Sequence, residues 1–146
     1  METADPGFIT TLGIEYAELS SARAVATMPI DPRVLQPYGF LHGGATIALL
    51  ETAASAAAGK LADLDRERPF GIDVHVRHRK SGKSGTATGV AELDRVEGSK
   101  QFWKVAAYDD EGDILSEGVV VTKIVSLERL AEKDRERAAA KASGRA

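Results

Sequence analysis

The feature that most constrains this chain is the stretch at residues 36–55, QPYGFLHGGATIALLETAAS, in which a His-Gly-Gly turn opens a helix. That helix is apolar on nearly every side, and a single carboxylate, that of Glu51, lies in its middle. A helix that is hydrophobic all round is typical of a buried helix. An isolated carboxylate is costly to bury unless it is paired, protonated or put to use. We therefore expect Glu51 to be buried, and it is the first candidate for chemistry.

The composition excludes several classes of function. The 146 residues fit one domain, and the net charge of −3 comes without the clustered basic face of a nucleic-acid-binding protein. Cysteine is absent, which excludes disulfides and thiolate chemistry. The chain opens with METADPGF, which has acids where a signal peptide would have a basic region, and its longest apolar run is too short for a membrane span. A cytoplasmic protein with no nucleic-acid or membrane partner is expected.

Hydrophobic periodicity predicts one long helix between two groups of strands. Residues 1–10 predict a loose start, with a short helical turn after Pro6, and the long helix is expected over residues 44–60, ending near Gly59. Residues 62–69 are interpreted as a polar linker. The predicted strands are residues 12–19, 23–30, 71–80, 86–96, 100–108 and 114–125, with turns at 81–85 and 109–112.

This order of elements predicts an α+β fold. Consecutive strands joined by short turns favour antiparallel pairing. A curved, mainly antiparallel sheet of about six strands would wrap the long central helix, and its remaining open face would need a second subunit. In the strand at 71–80, alternation predicts that Ile72, Val74 and Val76 share one face.

The last twenty residues differ in character from the rest. Residues 127–146 are rich in charge and have no aromatic residue. This composition favours a solvated, flexible or partly helical tail over a functional segment. We therefore divide the chain into a domain at residues 1–126 and a charged tail at 127–146.

Two kinds of group on the long helix point to chemistry. Gly43 and Gly44 stand where the helix begins, and the free N–H groups of a helix amino end bind an anion or a developing oxyanion. A simple tight turn is the alternative. Glu51 and Ser55 are four residues apart and share a helix face, although Ser55 could instead bond back to its own helix.

The histidines do not indicate a metal site. His42 either has a function or bonds to the turn that contains it. His75 and His78 are three residues apart on a strand and so face opposite sides. No other cluster has the spacing of metal ligands, so no metal and no cofactor are expected.

The same residues resemble the hotdog-fold acyl-CoA thioesterases. The resemblance runs over about residues 12–125 and is most specific in the block at 36–55; the segment GIDVHVRHRKSGKSG and the YDDEGDIL turn extend it. The branch it resembles holds the 1,4-dihydroxy-2-naphthoyl-CoA thioesterases, the proofreading thioesterases of enterobactin synthesis, the PaaI-type phenylacetyl-CoA thioesterases and the Arthrobacter-type 4-hydroxybenzoyl-CoA thioesterases. The resemblance implies the hotdog fold and a homodimer, often paired again into a tetramer.

The resemblance also implies a role for individual residues. Glu51 would be the catalytic carboxylate, acting as nucleophile or as general base. The Gly43 N–H and the Gln36 side chain would polarise the thioester carbonyl, with His42 beside them and Ser55 placing water or the carboxylate. The residues expected to bind substrate and CoA are Gly71, His78, Arg79, Lys80, Ser81, Arg95, Gly98, Ser99 and Lys100.

The leading hypothesis is hydrolysis of an acyl-CoA thioester with an aromatic or hydroxyaromatic acyl group. One alternative is a proofreading thioesterase that acts on carrier-protein thioesters. A second is an acyl-CoA-binding hotdog protein without turnover, although a pure binder has no use for a buried base such as Glu51. The acyl group itself depends on pocket walls that the sequence does not specify.

Overall fold

In the computed structural model, which describes residues 7–144, one long helix and six strands follow each other in the expected order. The helices are α1 (Phe8–Thr11), α2 (Gly43–Leu61) and α3 (Leu127–Ala142), and a short 3₁₀ turn spans Pro32–Val34. The strands are β1 (Glu15–Leu19), β2 (Arg23–Pro29), β3 (Glu67–His78), β4 (Thr86–Glu97), β5 (Lys100–Tyr108) and β6 (Ile114–Ser126). The loose start expected at residues 1–6 lies outside the described residues, and α1 is the short helical turn expected after Pro6.

The six strands form one antiparallel sheet in the order β1–β2–β4–β5–β6–β3. The sheet curves around α2, so the predicted α+β architecture with a central helix is confirmed. Strand β3 follows α2 in the chain but lies at the far edge of the sheet, where it pairs only with β6. The long connection through α2 allows this placement, because it carries the chain across the sheet face.

Helix α2 packs on the sheet through small side chains. Its sheet-facing residues are fully buried: Leu49, Leu50, Ala53, Ala54, Ala57 and Ala58. Gly89 of β4 makes room for this approach, since a Cβ there would lie 2.8 Å from Cγ of Leu49. Strand β2 completes the core with Ala24, Ala26 and Met28, which alternate with partly exposed neighbours.

Three local expectations were wrong. Residues 12–14 are not strand, because the chain turns at Gly13 (φ 72°) between α1 and β1. Strand β3 begins at Glu67, inside the stretch interpreted as a linker; Pro69 is tolerated there because an edge strand has an unpaired side. Ile72 does not share a face with Val74 and Val76: a bulge between Gly71 and Asp73 turns it outward, and it is 48% exposed.

The charged tail continues directly from β6 as α3. Ser126 caps it by accepting a hydrogen bond from the Arg129 N–H, and the Leu127 N–H donates to the Arg66 carbonyl. Within the described part of this helix, no residue is buried. The dispensability of the tail stays a prediction.

Candidate active site

The amino end of α2 presents one free backbone donor. His42 caps the helix: its Nδ1 accepts a hydrogen bond from the Gly44 N–H at 2.8 Å, and its carbonyl accepts from Ala45 and Thr46. Among the described residues the Gly43 N–H has no such partner. Because the helix dipole adds partial positive charge here, this N–H is suited to an incoming carbonyl oxygen. Of the two alternatives for His42, the structure shows the one in which its side chain bonds to the turn that contains it.

The loop before the helix orients the side chain of Gln36. Its Oε1 accepts hydrogen bonds from the N–H groups of Tyr38 and Phe40, and its own N–H donates to the Phe40 carbonyl at 2.8 Å. With the carboxamide oxygen held by the loop, the NH₂ group is the end left to donate. Gln36 and Gly43 line the same cleft, of about 200 Å³.

The ring of His78 lies against this helix end. A Cβ at Gly43 would be 2.6 Å from Nε2 of His78, so any larger residue there would push the His78 ring away. The Nδ1 of His78 is 2.7 Å from Oγ of Ser116, a residue on β6 that is 1% exposed. His78 thus lies beside the amino end of α2. Sequence reasoning did not identify Ser116, because its burial beside Leu115 is visible only in the structure.

Glu51 is half-buried, not buried, in the single chain. The reason is that the sheet covers only one side of α2. The uncovered side lines a cleft of about 540 Å³. Within the described residues the Glu51 carboxylate forms no hydrogen bond or ion pair. The cleft contains Phe8, Ile9, Tyr16, Gly44, Ile47, Ala48, Glu51, Thr52, Ser55 and Ala56.

Strand β3 makes room for this carboxylate. A Cβ at Gly71 would lie 2.6 Å from Oε2 and 2.9 Å from Cδ of Glu51. The missing side chain at Gly71 therefore leaves the space that the carboxylate occupies. The adjacent bulge, between Gly71 and Asp73, belongs to the same part of the strand.

Two hydroxyl groups share the larger cleft with Glu51. Ser55 is one turn further along α2, and its Oγ forms no hydrogen bond within residues 7–144, so the back-bonded alternative is not what the structure shows. Tyr16 comes from β1, and burial raises the pKa of its phenol above 10.0. The phenol is therefore neutral at physiological pH and can donate a hydrogen bond into the cleft.

The two groups expected to act on one carbonyl are far apart within one chain. Gly43 and Glu51 are eight residues apart, which corresponds to about 12 Å along an α-helix. They also line different clefts. One chain by itself does not bring the carbonyl-polarising donors and the carboxylate together.

The basic residues that follow β3 are already engaged. Arg79 forms an ion pair with Glu117 at 3.1 Å. The Lys80 ammonium lies 2.6 Å from the Asp109 carboxylate and 2.8 Å from that of Asp113. These hydrogen bonds raise the pKa of Lys80 and lower the pKa of Asp109 from its ordinary value. Of this segment, His78, Lys80 and Ser81 line the small cleft with Gly43.

The second basic segment lies at the other end of the sheet. Arg95 stacks over the Phe102 ring at 3.8 Å and is flanked by Asp94 and Glu97, whereas Lys100 has no ion pair within the described part of the chain. Lys100 pairs with Lys123 of β6, whereas His78 pairs with Ser116 of the same strand. Lys123 and Ser116 are seven residues apart along β6. At about 3.3 Å per residue, the two segments are roughly 23 Å apart.

The described residues, 7–144, show neither a metal-binding cluster nor a membrane-spanning helix. They contain no group of three or more His, Cys, Asp or Glu side chains that could hold a metal ion. None of their helices is both long enough and apolar enough to cross a membrane.

Comparison with known proteins places these residues among thioesterases. The signature of the "Thioesterase superfamily" (4HBT) matches residues 38–116. A proofreading thioesterase of Cronobacter turicensis is 39% identical over 69% of this chain and 73% of its own length. A 1,4-dihydroxy-2-naphthoyl-CoA hydrolase of Listeria monocytogenes is 34% identical over 75% of this chain and 88% of its own length. The crystal structure of a thioesterase from Haemophilus influenzae matches with a TM-score of 0.78 at 28% identity, covering 84% of this chain and 85% of that one.

Proposed function

Since the chain belongs to the thioesterase superfamily and is a thioester hydrolase, we propose that its substrate is an acyl-CoA with an aromatic or hydroxyaromatic acyl group. Water cleaves the thioester, and the products are the free acid and CoA. The relative from Listeria monocytogenes, whose name specifies a hydroxyaromatic acyl-CoA, supports this choice of class. The proposal requires no metal or organic cofactor.

The carbonyl is polarised at the amino end of α2. The free Gly43 N–H and the NH₂ group of Gln36 donate to the carbonyl oxygen, on which negative charge develops as the carbon is attacked. Removal of one donor of this kind lowers kcat by about 10²–10³-fold. His42 contributes by capping the helix, which leaves the Gly43 N–H as the free donor.

Glu51 either activates the water that attacks the carbonyl carbon or attacks that carbon itself. As a general base it takes a proton from water while the water oxygen bonds to the carbonyl carbon; as a nucleophile its own oxygen forms that bond, and water then cleaves the resulting anhydride. In the general-base route the C–S bond breaks as the proton held by Glu51 passes to the CoA sulfur. In the nucleophile route the C–S bond breaks when the anhydride forms, and the CoA thiolate takes up a proton released when water cleaves the anhydride. Ser55, one helical turn from Glu51, is placed to hold the water.

Each site is built by two chains. The uncovered side of α2 is the surface on which a second copy would pack, with the two helices antiparallel. This arrangement brings Gly43 and Gln36 of one chain toward Glu51 of the other, and a homodimer with a two-fold axis then has two equal sites.

The cleft beside Glu51 is suited to a flat apolar acyl group. Its walls carry the aromatic rings of Phe8 and Tyr16 and the aliphatic side chain of Ile47, and the second copy that packs over α2 would enclose it. The Tyr16 phenol is the donor that would recognise a hydroxyl on the acyl ring.

The observation that carries the proposal is that α2, one side of which is uncovered, holds both the Glu51 carboxylate and the Gly43 N–H, neither of which has a partner within residues 7–144. The test measures thiol release from a panel of CoA and carrier-protein thioesters, each with aryl and alkyl acyl groups, by the parent protein and Glu51→Gln. The parent should cleave aryl-CoA thioesters, and the variant should lose at least about 10²-fold in kcat, because the amide keeps the shape of the side chain but is neither nucleophile nor base.

Other results would contradict the proposal in different ways. Faster cleavage of carrier-protein thioesters would assign the substrate to the carrier-protein class. Tight binding of acyl-CoA with no turnover would indicate a binding protein. Parental rates for Glu51→Gln would refute the role of this carboxylate.

A further inference from the structure

A chain of buried hydrogen bonds runs from the core of the sheet to the turn between β4 and β5. The Trp103 indole N–H donates to Oγ1 of Thr122 at 2.8 Å, and the Thr122 hydroxyl donates to Oε1 of Gln101 at 2.7 Å. The Gln101 amide then donates to the carbonyl of Ser99 at 2.8 Å. Thr122 and Trp103 are fully buried, and Gln101 is 2% exposed.

The turn at residues 98–99 is held from two strands. The Ser99 carbonyl accepts from Gln101 of β5 and also from the Ile124 N–H of β6, at 2.9 Å. Gly98 supplies the positive φ, 60°, that a two-residue hairpin turn needs at its first position. A short turn that is otherwise exposed thus has its backbone bonded to the buried part of the sheet.

Core packing alone does not account for this arrangement. Apolar side chains would fill the positions of Gln101 and Thr122 without the cost of desolvating an amide and a hydroxyl. A buried polar network is tolerated when every member is satisfied, and it then fixes one geometry. Here the last bond of the network ends on the backbone of the turn, so the geometry that it fixes is that of the turn.

The surroundings of the turn are those of a binding surface. Gly98, Ser99 and Gln101 border a cleft of about 300 Å³. Lys100, the residue after the turn, is exposed and has no ion pair within residues 7–144, whereas Arg95 is flanked by two carboxylates. A free ammonium next to a rigid turn is suited to a phosphate group.

We infer that Gln101 is a positioning residue: through Ser99 it holds the turn at residues 98–99, and with it Lys100, in the shape that binds the nucleotide end of a CoA thioester. The inference rests on the proposed function, in which this segment contacts CoA. Gln101 acts through Ser99, because a side chain that is 2% exposed has almost no surface for a ligand.

The test compares two buried substitutions with two substrates. Gln101→Met keeps the length of the side chain and removes the donor to Ser99. Thr122→Val is the matched control, since it removes the hydroxyl in the middle of the network and leaves the bond from Gln101 to Ser99 in place. The substrates are benzoyl-CoA and the benzoyl thioester of N-acetylcysteamine, which lacks the nucleotide.

Gln101→Met should raise KM for benzoyl-CoA by roughly three- to tenfold, the range that one net hydrogen bond supplies, with kcat unchanged. It should leave kcat/KM for the short thioester at the parental value. Thr122→Val should lower the melting temperature and keep KM for benzoyl-CoA within about twofold of the parent. If Gln101→Met melts too low for kinetics, Gln101→Leu replaces it, because an aliphatic side chain also cannot donate to the Ser99 carbonyl.

A folded Gln101 variant with the parental KM for benzoyl-CoA would overturn the inference. So would a KM that rises equally for both substrates, or equally in Thr122→Val. The proposed function fails separately, and visibly in the parent protein, if the parent cleaves neither thioester.

Discussion

A mixed dimer of two inactive variants tests the arrangement of the active site across two chains. Gly43 and Glu51 lie about 12 Å apart along α2, and a glutamate side chain spans only a few ångströms. One variant is Glu51→Ala, and the other is Gln36→Ala, which removes the donor beside Gly43. Each homodimer should be nearly inactive, because each of its sites lacks one essential group.

Mixing the two chains should restore activity. In a mixed dimer, Gln36 of the first chain meets Glu51 of the second and forms one intact site, while the other site has lost both groups. Random assembly makes about half of the dimers mixed, so the mixture should recover roughly a quarter of the parental rate. The assay co-expresses two differently tagged chains, purifies the dimer that carries both tags and measures thiol release. This purified dimer has one intact site of two, so it should show about half of the parental rate.

A matched control excludes recovery from expression or assembly alone. Co-expression of Glu51→Ala with Glu51→Gln yields mixed dimers with no intact site under either arrangement, so the rate should stay at the background. If the purified Glu51→Ala and Gln36→Ala mixed dimer is as inactive as this control, the site is made within one chain and the reasoning from the helix separation is wrong.

Three further perturbations follow from single contacts. Gly71→Ala places a methyl group against the Glu51 carboxylate, which can swing away at little cost to the fold, so kcat should fall by about 10²-fold while the melting temperature hardly changes. Lys80→Met should lower the free energy of unfolding near pH 7, as measured in urea melts. Because the ion pair with Lys80 lowers the pKa of Asp109 from 3.8 in the folded chain, the pair stabilises the protein above that value. This stabilisation is lost as the pH falls through the folded pKa, so the difference between variant and parent should vanish on acidification. A chain truncated after Ser126 should keep its activity and its melting temperature within a few degrees, since α3 buries no residue in its described part.

The two substitutions each have a matched control. Gly59→Ala should be active, because a Cβ there would lie at an ordinary 3.9 Å from Pro69. Lys133→Met removes an ammonium that has no ion pair within the described residues. Any change that it causes in the free energy of unfolding should therefore be the same at neutral and at acid pH. Parental kcat for Gly71→Ala, a constant penalty for Lys80→Met down to low pH, or an insoluble truncated chain would each refute the corresponding argument.

The sequence predicted the architecture because its signals are local. The helix could be located from its continuous apolar stretch and the glycines at its ends, the strands from period-2 patterns, and the hairpin at residues 109–112 from Gly112 and the acids before it. The bulge beside Gly71 could not be located, since it depends on how β3 pairs with β6, about fifty residues later. It is the bulge that turns Ile72 out of the face that alternation assigned to it.

The site was predicted less completely, for the same reason. Composition indicated that α2 is apolar, but not that the sheet covers only one side of it, and so the burial of Glu51 was overestimated. The resemblance pointed to Lys80 as a residue that contacts CoA; its engagement by Asp109 and Asp113 depends on a hairpin thirty residues away. Ser116 was missed because a single serine in a strand has no distinguishing pattern.

The placement of β3 beside β6 has a consequence for how the chain acquires its structure during synthesis. Strand β3 leaves the ribosome before β4, β5 and β6, yet its only partner in the sheet is the last of these. Until β6 is made, β3 has no strand to bond with, and the apolar side of α2 lacks part of its cover. Long-range pairing of this kind is slow and leaves apolar surface open to aggregation. The elements that contribute Gly43, Glu51 and Gly71 are therefore synthesised before the strands that complete the sheet around them.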